Sequence, residues 1–145
     1  DIVVVYGDII FSDSIFKLLK KKQIIIPANI YWYKNWIQRM GKIKTLKDAE
    51  NFVEKNHKLL EIGQKLKKNN LPKFQFMGIL KITMKKFKIL HSLFKSNKDN
   101  NIDFTTFINL SIKQKKIIYH VKKYREKWFE IDNDKDIKFA NRNLK

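Results

Sequence analysis

The sequence predicts an α/β fold built around a mainly parallel sheet. Short β-branched apolar runs read as buried strands, and segments with apolar residues at helical spacing stand between them. Both kinds of segment have the lengths typical of an open sheet. A chain of 145 residues, 43% of them hydrophobic, is one domain by length and large enough to bury a core.

In chain order, IVVVY is the first buried strand. Ser12, Asp13 or Ser14 can cap the amphipathic helix that follows, with Ile15, Phe16, Leu18 and Leu19 on its inner side. IIIPANI is a second strand, and the aromatic stretch from Tyr31 to Phe52 reads as irregular. Lys58 to Ile62 and Phe74 to Thr83 read as strands, with Gly78 marking a bulge or a close backbone approach. Thr83 caps MKKFKILHSLF, where Phe87, Leu90 and Phe94 recur at helical spacing. After the polar connector KSNKDNN, Asp103 caps FTTFINLSIKQ. KIIYHV and KWFEI are strands, and Asp132 or Asn133 opens the last helix, DKDIKFA. KLKKNNLPK is the one weak boundary, and the chain is kept whole across it.

The formal charge of +18 fits either a surface for polyanions or lysines solvated on ordinary surfaces. The lysines are spread in short runs such as Lys20-Lys21-Lys22 and Lys67-Lys68, with no basic arm, which favours the second. The absence of cysteine excludes a disulfide framework, a thiolate zinc site and a cysteine nucleophile. It fits a reducing cytoplasm, the expected location. No run approaches the roughly 18 apolar residues of a membrane span, and no signal peptide is visible. An apolar strand starting at Asp1 suggests a chain cut inside a domain.

Ligands of open α/β sheets bind beyond the carboxyl ends of strands. Asp8 follows such a strand, and Gly7 lets the backbone bend and keeps a side chain out of a ligand's way. Glu130 and Asp132, two apart in an extended segment, point to one face. Three carboxylates from two strand ends suit magnesium, a hard cation that shares its shell with substrate phosphates. The plain alternative makes Asp8 a turn residue and Asp132 a helix cap. His57, His91 and His120 are isolated and read as structural or surface residues. In YWYKNWIQR, Trp32 and Trp36 at helical spacing fit a packed helix, an enclosure for an amine, or a base-stacking platform.

The ordered series YGDI, W-x-x-x-W-x-x-R, DAE, EIG-x-K, FMG, IDFTTFIN and W-x-EID-x-x-x-DI resembles the nucleotidyltransferase family that includes phosphocholine cytidylyltransferases. That family's relatives attach CMP to phosphonates and, more distantly, nucleotides to sugar phosphates. The resemblance covers essentially all 145 residues. It implies a Rossmann-like three-layer α/β/α sandwich, incomplete at its N-terminal strands. The implied reaction is attack of a phosphate or phosphonate oxygen on the α-phosphorus of a nucleoside triphosphate, CTP first among them, with release of pyrophosphate. Asp8, Glu130 and Asp132 would be the catalytic magnesium ligands. Trp32 and Trp36 would bind an acceptor such as phosphocholine, another phosphorylated amine or a phosphonate, and Arg39, Asp48 and Glu50 match substrate-binding positions. Gly7 and Lys65 would lie near the nucleotide phosphates, and basic groups near the cleft would favour capture of anions.

The chain departs from the family at two places. Asn29 stands where relatives often carry an acid. The glycine-rich loop L-A-A-G-x-G-x-R with its Pro-Lys pair is missing, since Gly7, Gly41, Gly63 and Gly78 are far apart. The resemblance therefore implies a C-terminal portion of the enzyme, inactive alone. The rival expectation is a non-enzymatic basic domain that binds nucleic acid through lysines and the aromatic segment.

Overall fold

The computed structural model describes residues 1–21, 23–67, 70–99 and 101–144. Lys22 and Lys68, from two of the lysine runs, lie outside them, as does Asn69 of the KLKKNNLPK boundary. The first half contains β1 (Ile2–Val5), β2 (Ile9–Phe11), α1 (Ile15–Leu18), β3 (Ile25–Asn29), α2 (Trp32–Met40), α3 (Lys42–Asp48), β4 (Glu50–Lys55) and β5 (Lys58–Lys65). The second half adds β6 (Gln75–Phe76), β7 (Ile79–Ile82), α4 (Met84–Ser96), α5 (Phe104–Lys113), β8 (His120–Tyr124), β9 (Trp128–Glu130) and α6 (Asp134–Asn143).

The main sheet has the order β1-β7-β3-β8-β5-β4, with β6 beside β3, while β2 and β9 form a separate two-stranded ribbon. The α/β class holds, but the sheet is mainly antiparallel, which corrects the parallel expectation. Among the described strands, only β3 and β8 run parallel, from Ile25↔His120 to Asn29↔Tyr124. Short connections explain the difference. A parallel pair needs a long crossover, whereas β4 and β5 are joined directly through Asn56 and His57. Both turn residues take left-handed φ, 51° and 61°, as a tight hairpin requires.

The stretch from Tyr31 to Phe52 is also more regular than its composition suggests. It holds α2, α3 and the start of β4, with Gly41 at φ 81° between the helices. Three caps follow the sequence. Thr83 accepts from the Lys86 amide, Asp103 from the Thr106 amide, and Asn133, rather than Asp132, from the Lys135 amide.

Both faces of the sheet are covered, giving three layers. Leu90 and Leu93 of α4 and Phe107 and Ile108 of α5 pack with Ile24, Ile26, Leu80 and Val121. On the other face, Ile15 of α1 and Trp32 and Trp36 of α2 pack with Ile25, Ile79, Tyr124 and Trp128. Alternation along β3 sends Ile24 and Ile26 to one core and Ile25 to the other. At the sheet edge, β1 leaves Val3 and Val5 about half exposed. An apolar groove lined by Val4, Leu80, Ile82, Phe87 and Phe94 runs beside it. Among the described residues, no helix is long and apolar enough to cross a membrane.

Candidate active site

One cleft of about 400 Å³ gathers side chains from distant parts of the chain. The turn after β1 supplies Tyr6 and Asp8, and α2 supplies Trp36 and Arg39. Asp48 closes α3 and Glu50 opens β4. Asp103 and Thr105 come from the start of α5, and Glu130 and Asp132 from the end of β9. The ribbon holds the two ends together, because Ile9 pairs with Glu130 and the Ile131 amide donates to the Asp8 carbonyl at 2.8 Å.

The charge of this cleft is opposite to that of the chain. Six of the fourteen acids (Asp8, Asp48, Glu50, Asp103, Glu130 and Asp132) line it, against a net charge of +18 for the whole protein. Arg39 is the single basic side chain among the described residues lining it. Of the basic groups expected near the cleft, its lining among the described residues holds Arg39 alone, while six acids converge there.

Arg39 sits among three carboxylates, Glu130 and Asp132 of this lining and Asp136 behind it, with its side chain only 4% exposed. Nη2 lies 3.3 Å from Glu130 Oε2, and Nη1 lies 3.2 Å from Asp132 Oδ2 and 3.6 Å from Asp136 Oδ2. Nη1 also donates to the Glu130 carbonyl at 2.9 Å, and the guanidinium lies 5.7 Å from the centre of the Trp36 ring. Asp136 in turn accepts from the Asp132 amide and the Asn133 side chain, each at 3.0 Å.

Three buried polar atoms of the lining have no partner among the described residues: Arg39 Nε, Trp36 Nε1 and Gln75 Oε1. Buried polar groups are nearly always paired, so these three atoms are left unsatisfied by the fold itself.

Burial first, and neighbouring acids after it, shift the ionisation of the cleft. Burial pushes the Glu130 carboxyl up to about 8; Arg39 pulls it down, but Asp132, Asp8 and Asp48 push with the burial. Burial, followed by Glu50, Asp103, Asp8 and Glu130, raises the Tyr6 hydroxyl to about 12. Glu50 is raised by burial and by Asp103, against a hydrogen bond from Thr105. Burial also pushes Asp103 up, but hydrogen bonds from Thr106 and Thr105 outweigh it and hold the acid below its ordinary range.

Of the residues singled out in the sequence, the structure brings Asp8, Trp36, Arg39, Asp48, Glu50, Glu130 and Asp132 to this cleft. Trp32 lies elsewhere: it is 2% exposed, its Nε1 donates to the Pro72 carbonyl at 3.1 Å, and its ring meets Trp36 edge-on. A paired Trp32–Trp36 enclosure is thus replaced by one wall residue, Trp36, backed by Trp32 in the core. Lys65 is exposed, opposite Glu50 in the β4–β5 ladder but outside the lining. Gly7 is also outside it, and a Cβ there would meet nothing within 4 Å. The backbone requires glycine at Gly63, φ +82°, where a Cβ would lie 2.8 Å from the Thr105 hydroxyl, and at Gly78, φ +73°, where it would lie 2.8 Å from the Tyr6 ring. Asn29 is buried with both ends of its amide engaged, donating to the Glu126 carbonyl and accepting from the Tyr31 amide.

Tyr6, Gln75, Asp103, Thr105 and Asp136 escaped the sequence reading as site residues. Four of them carried a signal, because Tyr6, Asp103, Thr105 and Asp136 fall inside YGDI, IDFTTFIN and W-x-EID-x-x-x-DI. Gln75 carried none.

Among the described residues, no three His, Cys, Asp or Glu side chains stand as a ready-made metal cage. The donor chemistry nonetheless suits a hard divalent cation. Magnesium commonly takes one or two protein carboxylates and completes its shell with water and substrate phosphates. Asp8 lines the cleft with its carboxylate unpaired among the described residues, and Glu130 is an acid whose ionised form a cation would favour.

No protein-family model and no curated protein sequence matches the chain. Solved structures do. The inositol-1-phosphate CTP transferase from T. maritima is similar with a TM-score of 0.65 at 17% identity, over 92% of this chain and 50% of that one. A candidate glucose-1-phosphate thymidylyltransferase from Bacillus anthracis, in complex with a sucrose, gives 0.64 at 18% identity, over 97% and 52%. The nucleoside-diphosphate-sugar pyrophosphorylase from Vibrio cholerae RC9 gives 0.58 at 10% identity, over 96% and 55%. The fold is therefore nucleotidyltransferase-like. The chain spans about half the length of each of these structures.

Proposed function

We propose that residues 1–145 are the C-terminal part of one nucleotidyltransferase domain that carries the acceptor side of the reaction. The transferred group is CMP from CTP, and the acceptor is phosphocholine or another small phosphorylated amine or phosphonate. The observation that carries this reading is the six-acid cleft around Arg39, with aromatic walls, in a chain of charge +18. An acceptor with an anionic head and a cationic tail matches it at both ends.

At one end, the Arg39 guanidinium beside Trp36 is the one cation lining the cleft among the described residues, and it faces phosphate or phosphonate oxygens in this reading. Toward the other, Glu50 and Asp103 share the Thr105 hydroxyl, at 3.1 and 3.0 Å, beside Tyr6, Phe76 and Phe104. Tyr6 meets both phenylalanine rings edge-on. Acids and aromatic faces together attract an ammonium group.

The chemistry asks little covalent work of the protein. An acceptor oxygen forms the bond to the α-phosphorus, the bond from that phosphorus to the bridging oxygen breaks, and pyrophosphate leaves with that electron pair. The protein's part is alignment and control of charge. Asp8, Glu130 and Asp132 would hold magnesium, which supplies charge neutralisation on the phosphate oxygens when bound. Arg39 orients Glu130 and Asp132 and balances their charge. The 145 residues contain no glycine-rich triphosphate loop, so in this reading other residues make that grip and the isolated chain transfers little.

The test is transfer of label from the α-phosphate of CTP to phosphocholine and to an aminoalkylphosphonate by the full-length polypeptide with magnesium. Product is expected, with Asp8→Ala reducing it by about a hundredfold or more. Full activity in Asp8→Ala, or nucleic-acid binding that tightens in that variant without any transfer, would contradict the reading.

A further inference from the structure

Helix α2 has two working faces. Trp32, Trp36 and Arg39 turn toward the core and the acidic cleft, while Tyr31, Lys34, Asn35 and Gln38 lie on the opposite side. These four residues form one wall of a second concavity, of about 740 Å³. Phe129 of the ribbon and Phe139 of α6 also line it, their rings meeting edge-on at 5.9 Å. Residues 125–127, Phe11, Ser12 and the end of α6 also line it.

Its chemistry is unlike that of the cleft. The single acid lining it, Glu126, is held by a hydrogen bond from the Ser12 hydroxyl. Lys34 and Arg125 make no ion pair among the described residues, so the groove is net positive. Tyr31 is 48% exposed, leaving ring surface available for stacking. The side-chain amides of Asn35 and Gln38 make no hydrogen bond among the described residues and can pair with donors and acceptors on a flat edge. A ligand that answers all of these is planar, carries hydrogen-bonding edges and ends in an anion.

We propose that this groove is a second ligand site, for a nucleoside phosphate, separate from the acidic cleft. The base stacks on Tyr31 and Phe139, Asn35 and Gln38 pair with its edge, and Lys34 and Arg125 take the phosphate. Stacking on aromatic rings beside basic groups is the general way proteins hold bases without strict sequence choice. Because α2 forms a wall of both sites, occupancy here bears on the helix that carries Arg39. The site stands independently of the reaction proposed above.

Titration of CMP, AMP, cytidine and inorganic phosphate into the protein in EDTA, followed calorimetrically, tests this. Without a divalent ion the six-acid cleft repels phosphates, whereas the groove needs no metal. Saturable binding of CMP and AMP is expected, with cytidine and phosphate each weaker. Lys34→Glu/Arg125→Glu and Tyr31→Ala should each weaken it about tenfold or more. Tyr31→Phe should retain it, and so should Asp8→Asn and a charge-matched Lys85→Glu/Lys95→Glu control. The proposal is overturned if neither nucleotide binds, if the control loses as much as the groove variant, or if Asp8→Asn abolishes binding.

Discussion

Arg39 and Glu130, 91 residues apart in the chain, meet twice: through their side chains at 3.3 Å and through an Arg39 hydrogen bond to the Glu130 carbonyl at 2.9 Å. The double contact pins α2 to the end of β9 and fixes where both acids of that segment stand. Removing the cation leaves the buried Asp136 and the largely buried Glu130 uncompensated, which is far more costly than the pair is worth as a whole. Arg39→Ala should cost about 3–5 kcal/mol in urea unfolding. Arg39→Lys should fall between, because an ammonium cannot make the guanidinium's fork of contacts.

The two tryptophans of α2 separate packing from binding. Trp32→Ala should cost about 3–5 kcal/mol, since its ring is buried in the core. Trp36→Phe should cost only about 1 kcal/mol, because it keeps an aromatic ring and removes an unpaired N–H. That same substitution should weaken acceptor binding, while the fold remains intact by circular dichroism. Equal stability losses from the two would contradict the division.

Glu50 makes stability depend on pH. Its folded pKa is raised above the ordinary carboxyl value, so the native state holds a proton that the unfolded chain releases. Its stabilising contribution is complete below about pH 4.5 and is lost as the pH rises through the folded pKa. Melting temperatures measured upward from pH 4.5 should decline less steeply in Glu50→Gln than in the wild type. Identical slopes would contradict this.

Gly78 links backbone to cleft. Its φ is +73°, and the Tyr6 ring lies 2.8 Å from where an alanine methyl would stand. Gly78→Ala should therefore cost about 1–3 kcal/mol and displace the Tyr6 ring. Tyrosine fluorescence and unfolding measure the two effects. Gly7→Ala, with open space around it, should leave stability within about 0.5 kcal/mol of wild type.

Much of the fold was legible in the sequence because its signals are local. Thr83 and Asp103 cap helices where they stand, and IVVVY and IIIPANI are strands by residue type alone. Strand direction was not legible, because pairing depends on partners far away in the chain. The Asn56–His57 turn, the one local clue, lacks the glycine that usually marks a hairpin. In the site, Asp8, Glu130 and Asp132 were readable from strand ends, and their common cleft follows from the β2–β9 ribbon. Arg39's position among them was not readable, since nothing local distinguishes a helical arginine facing inward from one facing solvent. Asp103 reads as a cap and is one, yet the same residue also lines the cleft, a second role set by tertiary placement.

Calorimetric titration of phosphocholine, choline and inorganic phosphate into the protein with magnesium tests the central claim most directly. Phosphocholine should bind at least about tenfold more tightly than either half, with Asp103→Asn weakening the choline contribution and Trp36→Phe the phosphate contribution. Phosphocholine that binds no better than phosphate, with both substitutions silent, would contradict an acceptor site in the acidic cleft.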